Sequence, residues 1–248
     1  MLAYTIQGKG KPLIFLHGYL ENKELWQDFL KYFSNYTCIC LDLPNCGQNS
    51  ITPMPSIEAM ADEVFSTLQK INITKASFIA HSMGGYVSLA LANKYSNMLD
   101  RLILLHSHPF ADSDEKRKAR LQEIEIIKAG KKLLLLQQFI PKLYAPHFHD
   151  KHCFALSQKM AENTSTEGMI ACLQAMANRS DNSSLLHQTT FPVLWIYGRY
   201  DQLFNFELAE NFKTNNPVVT KHLLNQSGHM GMFEQPLETA NIINSFLK

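Results

Sequence analysis

The chain has 248 residues, a length that predicts one large domain or a core domain with an insertion. Hydrophobic residues make up 46% of the sequence and charged residues 18%, proportions typical of an ordinary globular protein. The formal net charge of +1 gives no overall field that would attract nucleic acid or an anionic membrane.

Targeting signals and cysteine usage bear on where the protein works. No stretch approaches about 18 uninterrupted apolar residues, and no basic start precedes a long apolar run, so neither a transmembrane helix nor a signal peptide is expected. The five cysteines are scattered and lack CxxC spacing, which favours free thiols in a reducing compartment. We therefore expect a cytoplasmic protein.

Strand and helix patterns alternate over the first part of the chain. Residues 4–17 predict a strand, a tight Gly-Lys-Gly turn and a second, buried strand. Residues 22–33 predict a short helix with Asn22 as its N-cap. Further strands are predicted over 36–44, 75–80 and 101–108, and further helices over 57–71 and 83–95.

This alternation stops between about Pro109 and His187, where helical patterns follow one another without a good strand signal. It resumes with a strand over 191–198 and continues to a terminal helix from about Pro236. Apolar strands that alternate with helices predict a mostly parallel sheet covered on both faces. The predicted organisation is a core of residues 1–108 and 188–248 that carries a helical cap, or lid, of residues 109–187.

Residues 78–85, FIAHSMGG, change abruptly from an apolar strand to the start of a helix. Small residues two before and two after Ser82, Ala80 and Gly84, fit the sharp G-x-S-x-G turn that exposes a nucleophilic serine. The helix would then direct the N–H of Met83 at an oxyanion. Taken alone, the pattern equally fits a serine that caps a core helix.

Three other segments that follow predicted strands contain the partners that such a serine needs. Gly18 lets the backbone approach closely, and the N–H of Tyr19 would be a second oxyanion donor. Asp201 and His229 each follow a strand, at the edge where open α/β sheets bind ligands. Individually these residues fit a turn glycine, a helix-capping aspartate and a solvated loop histidine. In the chain order Ser82, Asp201, His229, they predict a catalytic triad.

Five segments, FLHGYLEN, LDLPNCGQNS, FIAHSMGGYVSLALA, IYGRYDQLF and SGHMGMFEQP, together resemble the α/β-hydrolase fold family, and in particular its small esterase-like and lactonase-like enzymes with a helical cap. The resemblance covers nearly the whole chain outside the cap. It implies a doubly wound, mostly parallel sheet of about eight strands. It also implies a serine hydrolase that cleaves a carboxylic ester, thioester or lactone of a small to medium acyl substrate, with no cofactor and no metal.

The chain departs from the family pattern at a few positions. Asn45 and Cys46 stand where many relatives have Gly-His, and Ala80 replaces the first glycine of the turn. Ser82 argues against haloalkane dehalogenases and epoxide hydrolases, which use aspartate there, and Met83 argues against proline iminopeptidases, which tend to have tryptophan. A perhydrolase or cofactor-free haloperoxidase, an aminopeptidase of the proline iminopeptidase type and a ligand-binding receptor remain alternatives.

Several histidines lie near or outside the predicted site. His147, His149 and His152 have a spacing that could suit a metal, but no second ligand cluster accompanies them, so we expect a polar loop. The expected partner is a small ester-like molecule, and the oligomeric state stays open. The predicted substrate-pocket residues are His17, Gly18, His81, His106 and Phe110.

Overall fold

The structure is a computed structural model that describes residues 1–49 and 56–248. Its strands are β1 (Tyr4–Gln7), β2 (Lys11–Leu16), β3 (Tyr36–Leu41), β4 (Ala76–His81), β5 (Leu99–Leu105), β6 (Val193–Gly198) and β7 (Val219–Leu224). They form one sheet in the order β1-β3-β2-β4-β5-β6-β7. β1 pairs antiparallel with β3, and the other neighbouring pairs are parallel. The predicted mostly parallel sheet is confirmed, with seven strands in the described ranges where about eight were expected.

In the described ranges, an α-helix follows every strand from β3 onward. The α-helices of these ranges are α1 (Ile57–Lys70), α2 (Met83–Lys94), α3 (Asp114–Lys128), α4 (Lys132–Phe139), α5 (Lys151–Asn163), α6 (Thr166–Ala177), α7 (Ser183–Gln188), α8 (Phe206–Asn211), α9 (Gly231–Glu234) and α10 (Pro236–Leu247). The long connection between β5 and β6, which is described throughout, contains helices and loops but no strand. The stretch of sequence without a strand pattern therefore corresponds to a connection without strands.

Local sequence explains α1 well and residues 22–33 less well. The Ser56 side chain accepts a hydrogen bond from the N–H of Ala59 at 3.0 Å and so caps α1. In place of the one helix predicted over 22–33, two 3-10 helices form, at Lys23–Trp26 and Leu30–Phe33. The rings of Trp26 and Phe33 lie 5.2 and 5.6 Å from that of Phe15 on β2, and such aromatic packing outweighs helix propensity.

The sheet brings five loops together at one edge. β2, β4, β5, β6 and β7 are consecutive in the sheet and run in the same direction, so their carboxyl ends lie side by side. Ser82 and His106 directly follow β4 and β5, while Asp201 and His229 lie in the loops after β6 and β7. The fold therefore places the predicted site residues at the edge where such sheets bind ligands.

All five cysteines are free thiols, and Cys46 Sγ lies 3.5 Å from Cys172 Sγ, at hydrogen-bonding distance. None of the helices in the described ranges is long and apolar enough to cross a membrane.

Candidate active site

Ser82 occupies a strained turn between β4 and α2. Its backbone has φ 49° and ψ −116°, values that a residue with a side chain rarely adopts. A Cβ atom at Gly84 would lie 2.6 Å from the carbonyl oxygen of Leu16 and 2.7 Å from that of His17. Only glycine allows α2 to approach the end of β2 this closely. The turn thus has the geometry that the small residues around Ser82 predict.

Asp201 and His229 form a buried pair. Asp201 Oδ2 accepts a hydrogen bond from His229 Nδ1 at 2.7 Å, and Oδ1 accepts from the N–H groups of Leu203 and Phe204 at 2.8 and 3.1 Å. Burial opposes ionisation of Asp201, but the interactions of the carboxylate with His229 and His106 together outweigh it, so the pKa of the carboxyl lies well below its ordinary value. His229 Nε2 is buried without a hydrogen-bond partner among the described residues.

A cavity of about 620 Å³ lies between the carboxyl edge of the sheet and the helices that follow β5. Ser82 and His229 both line it, together with Tyr19. Tyr19 follows β2, and Met83 begins α2 directly after Ser82, so the two predicted oxyanion donors lie at the ends of the neighbouring strands β2 and β4. The rest of the wall includes the aromatic residues Tyr86, His108, Phe110, Phe139 and Phe204 and the charged residues Asp112, Lys116, Arg120, Glu123 and Lys142.

Comparison with known proteins assigns the chain to a family. The model of a family described as the alpha/beta hydrolase fold matches residues 11–236. The chain belongs to this family. A solved structure of a thermophilic esterase from Thermogutta terrifontis is 26% identical, with a TM-score of 0.92 over 99% of this chain and 92% of that one.

Two curated relatives of this alpha/beta hydrolase carry different names. Lipase 1 of Psychrobacter immobilis is 25% identical over 99% of this chain and 80% of its own length. The 2-succinyl-6-hydroxy-2,4-cyclohexadiene-1-carboxylate synthase of Enterobacter sp. (strain 638) is 23% identical over 96% of this chain and 94% of its own length. Chains this similar to the hydrolase thus carry names for different reactions, and sequence similarity alone does not select one.

The predicted pocket residues divide into two groups. His106 and Phe110 line the cavity of the hydrolase, whereas His17, Gly18 and His81 are not among its lining residues. His17 is fully buried; its Nδ1–H donates to the carbonyl of Gly18 at 2.8 Å, and its Nε2 accepts from the N–H of Leu43 at 2.9 Å. His17 therefore fastens the loop after β2 to the loop after β3.

His81 and Glu21 form a buried ion pair behind Ser82. The Nδ1 of His81 donates to Glu21 Oε2 at 2.9 Å, and its Nε2 donates to the carbonyl of His229 at 2.9 Å. The same Glu21 oxygen accepts from the N–H of Gly18 at 2.5 Å. Glu21 is not among the predicted site residues, although it is the one acidic residue of the FLHGYLEN segment. The pair ties the loop after β2 to the loop that contains His229.

The protonation of this pair follows from its contacts. Burial disfavours the charge on both groups, but each partner stabilises the other. The pKa of Glu21 is consequently lowered and that of His81 is raised. Glu21 thus stabilises the fold above its ordinary pKa of 4.5 and loses this effect as pH falls through its lowered value. His81 stabilises the fold below 6.5 and loses this effect as pH rises through its raised value.

Glu21→Gln is therefore expected to destabilise the protein in a pH-dependent way. With its amide oxygen in the place of Oε2, glutamine can still accept from the N–H of Gly18 and from His81 Nδ1–H, so the shape is kept while the charge is lost. The variant should lose about 2 kcal/mol of unfolding free energy between about pH 4.5 and 6.5, and less at alkaline pH, where His81 is neutral. Urea unfolding across this range measures the difference, with the exposed Glu24→Gln as control. A difference that does not vary with pH would contradict the ion pair.

The three histidines His147, His149 and His152 are not brought together as one ligand cluster. His147 Nε2 donates to the carbonyl of Gln226 at 3.1 Å, and His152 Nε2 lies 4.0 Å from a carboxylate oxygen of Asp28. In the part of the chain that the structure describes, the His, Cys, Asp and Glu side chains close enough to share one ion are His106, Asp201 and His229.

Proposed function

We propose that this protein is a serine hydrolase that cleaves carboxylic esters through an acyl-enzyme on Ser82. One observation carries the proposal: Ser82, at a strained turn, lines the same cavity as His229, whose Nδ1 is hydrogen-bonded to Asp201. The lipase and esterase names of its relatives support the same class of reaction.

Each member of the proposed triad has its own role in this reaction. His229 Nε2 has no partner among the described residues and takes the proton of the Ser82 hydroxyl as its oxygen attacks the ester carbonyl. Asp201 holds the imidazole by Nδ1 and stabilises the imidazolium that forms. The alcohol leaves with the proton from His229, and a water molecule activated by the same histidine then hydrolyses the acyl-enzyme.

The backbone N–H groups of Tyr19 and Met83 are proposed to bind the oxyanion of the tetrahedral intermediate. Tyr19 lies at the cavity wall directly after Gly18, and Met83 is the first residue of α2. One donor of this kind is worth about 3 kcal/mol of transition-state stabilisation.

Residues 109–187 are proposed to act as a cap over this site. Asp112 joins two parts of the segment, since it accepts from Arg120 Nε of α3 at 2.5 Å and from Arg179 Nη1, after α6, at 2.6 Å. Phe110 and Phe139 of the same segment line the cavity that contains Ser82. An aromatic wall and a volume of about 620 Å³ favour a small to medium acyl group in an ester, thioester or lactone.

Two measurements on the wild-type protein test this function. Hydrolysis of p-nitrophenyl esters of increasing acyl length should occur, with an optimum among short to medium chains that reports the size of the cavity. A fluorophosphonate probe should modify Ser82 alone, as mapped by mass spectrometry, and should not modify a denatured control. A native chain that neither hydrolyses any of these esters nor becomes labelled at Ser82 would refute the proposal.

A further inference from the structure

We propose that His106 is a positioning residue that presents a second imidazole N–H to Asp201. The inference rests on the proposed triad and concerns what holds its acid in place. His106 directly follows β5, and its side chain is completely buried.

The contacts of His106 determine its tautomer. Its Nε2 lies 3.0 Å from the backbone nitrogen of Gly231. A backbone N–H can only donate, so Nε2 is the acceptor and the proton of the neutral ring lies on Nδ1. Burial lowers the pKa of His106 to about 4, which keeps the ring neutral at physiological pH.

The protonated nitrogen faces the carboxylate of Asp201. His106 Nδ1 lies 3.7 Å from Asp201 Oδ2, the oxygen that also binds His229 Nδ1 at 2.7 Å. His106 Nδ1 is buried without a hydrogen-bond partner in the described ranges, and an unpaired buried donor is costly. Hydrogen bonds at catalytic sites commonly shorten when substrate binds. Each oxygen of Asp201 thus faces two N–H donors, since Oδ1 already accepts from two backbone amides.

The backbone around His106 is built to hold the ring in this place. His106 has φ 47°, an uncommon value for a residue with a side chain. A Cβ atom at Gly231 would lie 2.4 Å from His106 Nε2, so only glycine lets that loop approach the ring. The next residue, Ser107, donates its hydroxyl to the carbonyl of Ser82 at 2.7 Å. His106 and Ser107 therefore connect the end of β5 to the loops of His229 and Ser82.

A second donor changes how strongly Asp201 acts on His229. A carboxylate oxygen that accepts from His106 offers less negative charge to the imidazolium of His229. Without that donor, the imidazolium is held more tightly and the acid limb of the pH profile of kcat/KM moves to higher pH. The ring of His81 lies 6.2 Å from that of His106 and 5.0 Å from that of His229, and His108 interacts electrostatically with Asp201. Farther out, Glu21 is bonded to His81, and Glu234 accepts from the N–H of Met230, next to His229.

Two substitutions distinguish the roles of the two ring nitrogens of His106. His106→Gln keeps an acceptor near the position of Nε2 for the N–H of Gly231 but has no donor near Nδ1. His106→Asn keeps a donor near Nδ1 but no acceptor for Gly231. For His106→Gln we expect the acid limb to rise by about half a pH unit, with kcat reduced about tenfold and KM nearly unchanged. For His106→Asn we expect the acid limb to stay near the wild-type position.

Equal shifts of the limb in both variants, or no shift in His106→Gln, would overturn the proposal. Imidazole ¹⁵N shifts of the wild-type chain provide a second test that needs no substitution at His106: we expect the Nδ1–H tautomer, and the Nε2–H tautomer would refute it. The titration midpoint of His229, followed by NMR in Ser82→Ala with and without His106→Gln, should also rise. These NMR measurements require no turnover, so they separate a failure of this inference from a failure of the esterase proposal.

Discussion

Ser82→Ala is expected to lower kcat for ester hydrolysis by about a millionfold while leaving the protein folded. The hydroxyl of Ser82 is the proposed nucleophile, and alanine offers no atom that can form the acyl-enzyme. The substitution keeps Cβ and the strained φ of 49°, so the turn neither gains nor loses backbone strain. Activity that remains should come from substrate binding and oxyanion stabilisation of direct attack by water.

The measurement is kcat and KM for the best p-nitrophenyl ester, together with the midpoint of urea unfolding. The exposed Ser184→Ala in α7 is the matched control and should behave as wild type. KM in Ser82→Ala should stay within a few-fold of wild type if any turnover is detectable. Equal rates in Ser82→Ala and wild type would show that another group is the nucleophile.

The position of the proposed site could be predicted from sequence because strands and helices alternate regularly around it. Residues 78–85 change from an apolar strand to a helix within a few positions, and the structure ends β4 at His81 and begins α2 at Met83. Asp201 and His229 could be located because each follows a predicted strand within a few residues. Short connections between buried strands leave few alternatives for where such residues lie.

The supporting contacts could not be predicted, because they join loops that are distant in sequence. Glu21 reaches His81 over 60 positions, and the N–H of Gly231 reaches His106 over 125 positions. His17 was predicted to line the pocket, yet its two ring nitrogens bond the backbone of Gly18 and Leu43. A histidine at a strand end has the same sequence pattern whether it faces substrate or fastens two loops, and tertiary distances alone decide between these roles.

Asp201→Asn is expected to lower kcat by about ten-thousandfold with little effect on KM. The amide oxygen can still accept from the N–H groups of Leu203 and Phe204, so the loop after β6 should keep its shape. The amide nitrogen then faces His229 Nδ1 and donates to it. This places the proton of His229 on Nε2, the nitrogen that must accept the proton of Ser82.

Steady-state kinetics of Asp201→Asn, with the exposed Asp114→Asn of α3 as a control for loss of one negative charge, measures this effect. Imidazole ¹⁵N shifts should show His229 as the Nε2–H tautomer in Asp201→Asn and as the Nδ1–H tautomer in wild type at alkaline pH. His106 Nδ1 also lies 3.7 Å from Asp201 Oδ2, the position that the amide nitrogen of Asp201→Asn takes. A nitrogen there cannot accept a hydrogen bond from His106, and this unpaired donor adds to the loss of activity. Wild-type kcat in Asp201→Asn would show that His229 keeps its acceptor nitrogen without Asp201, and the carboxylate would then have no part in orienting the base.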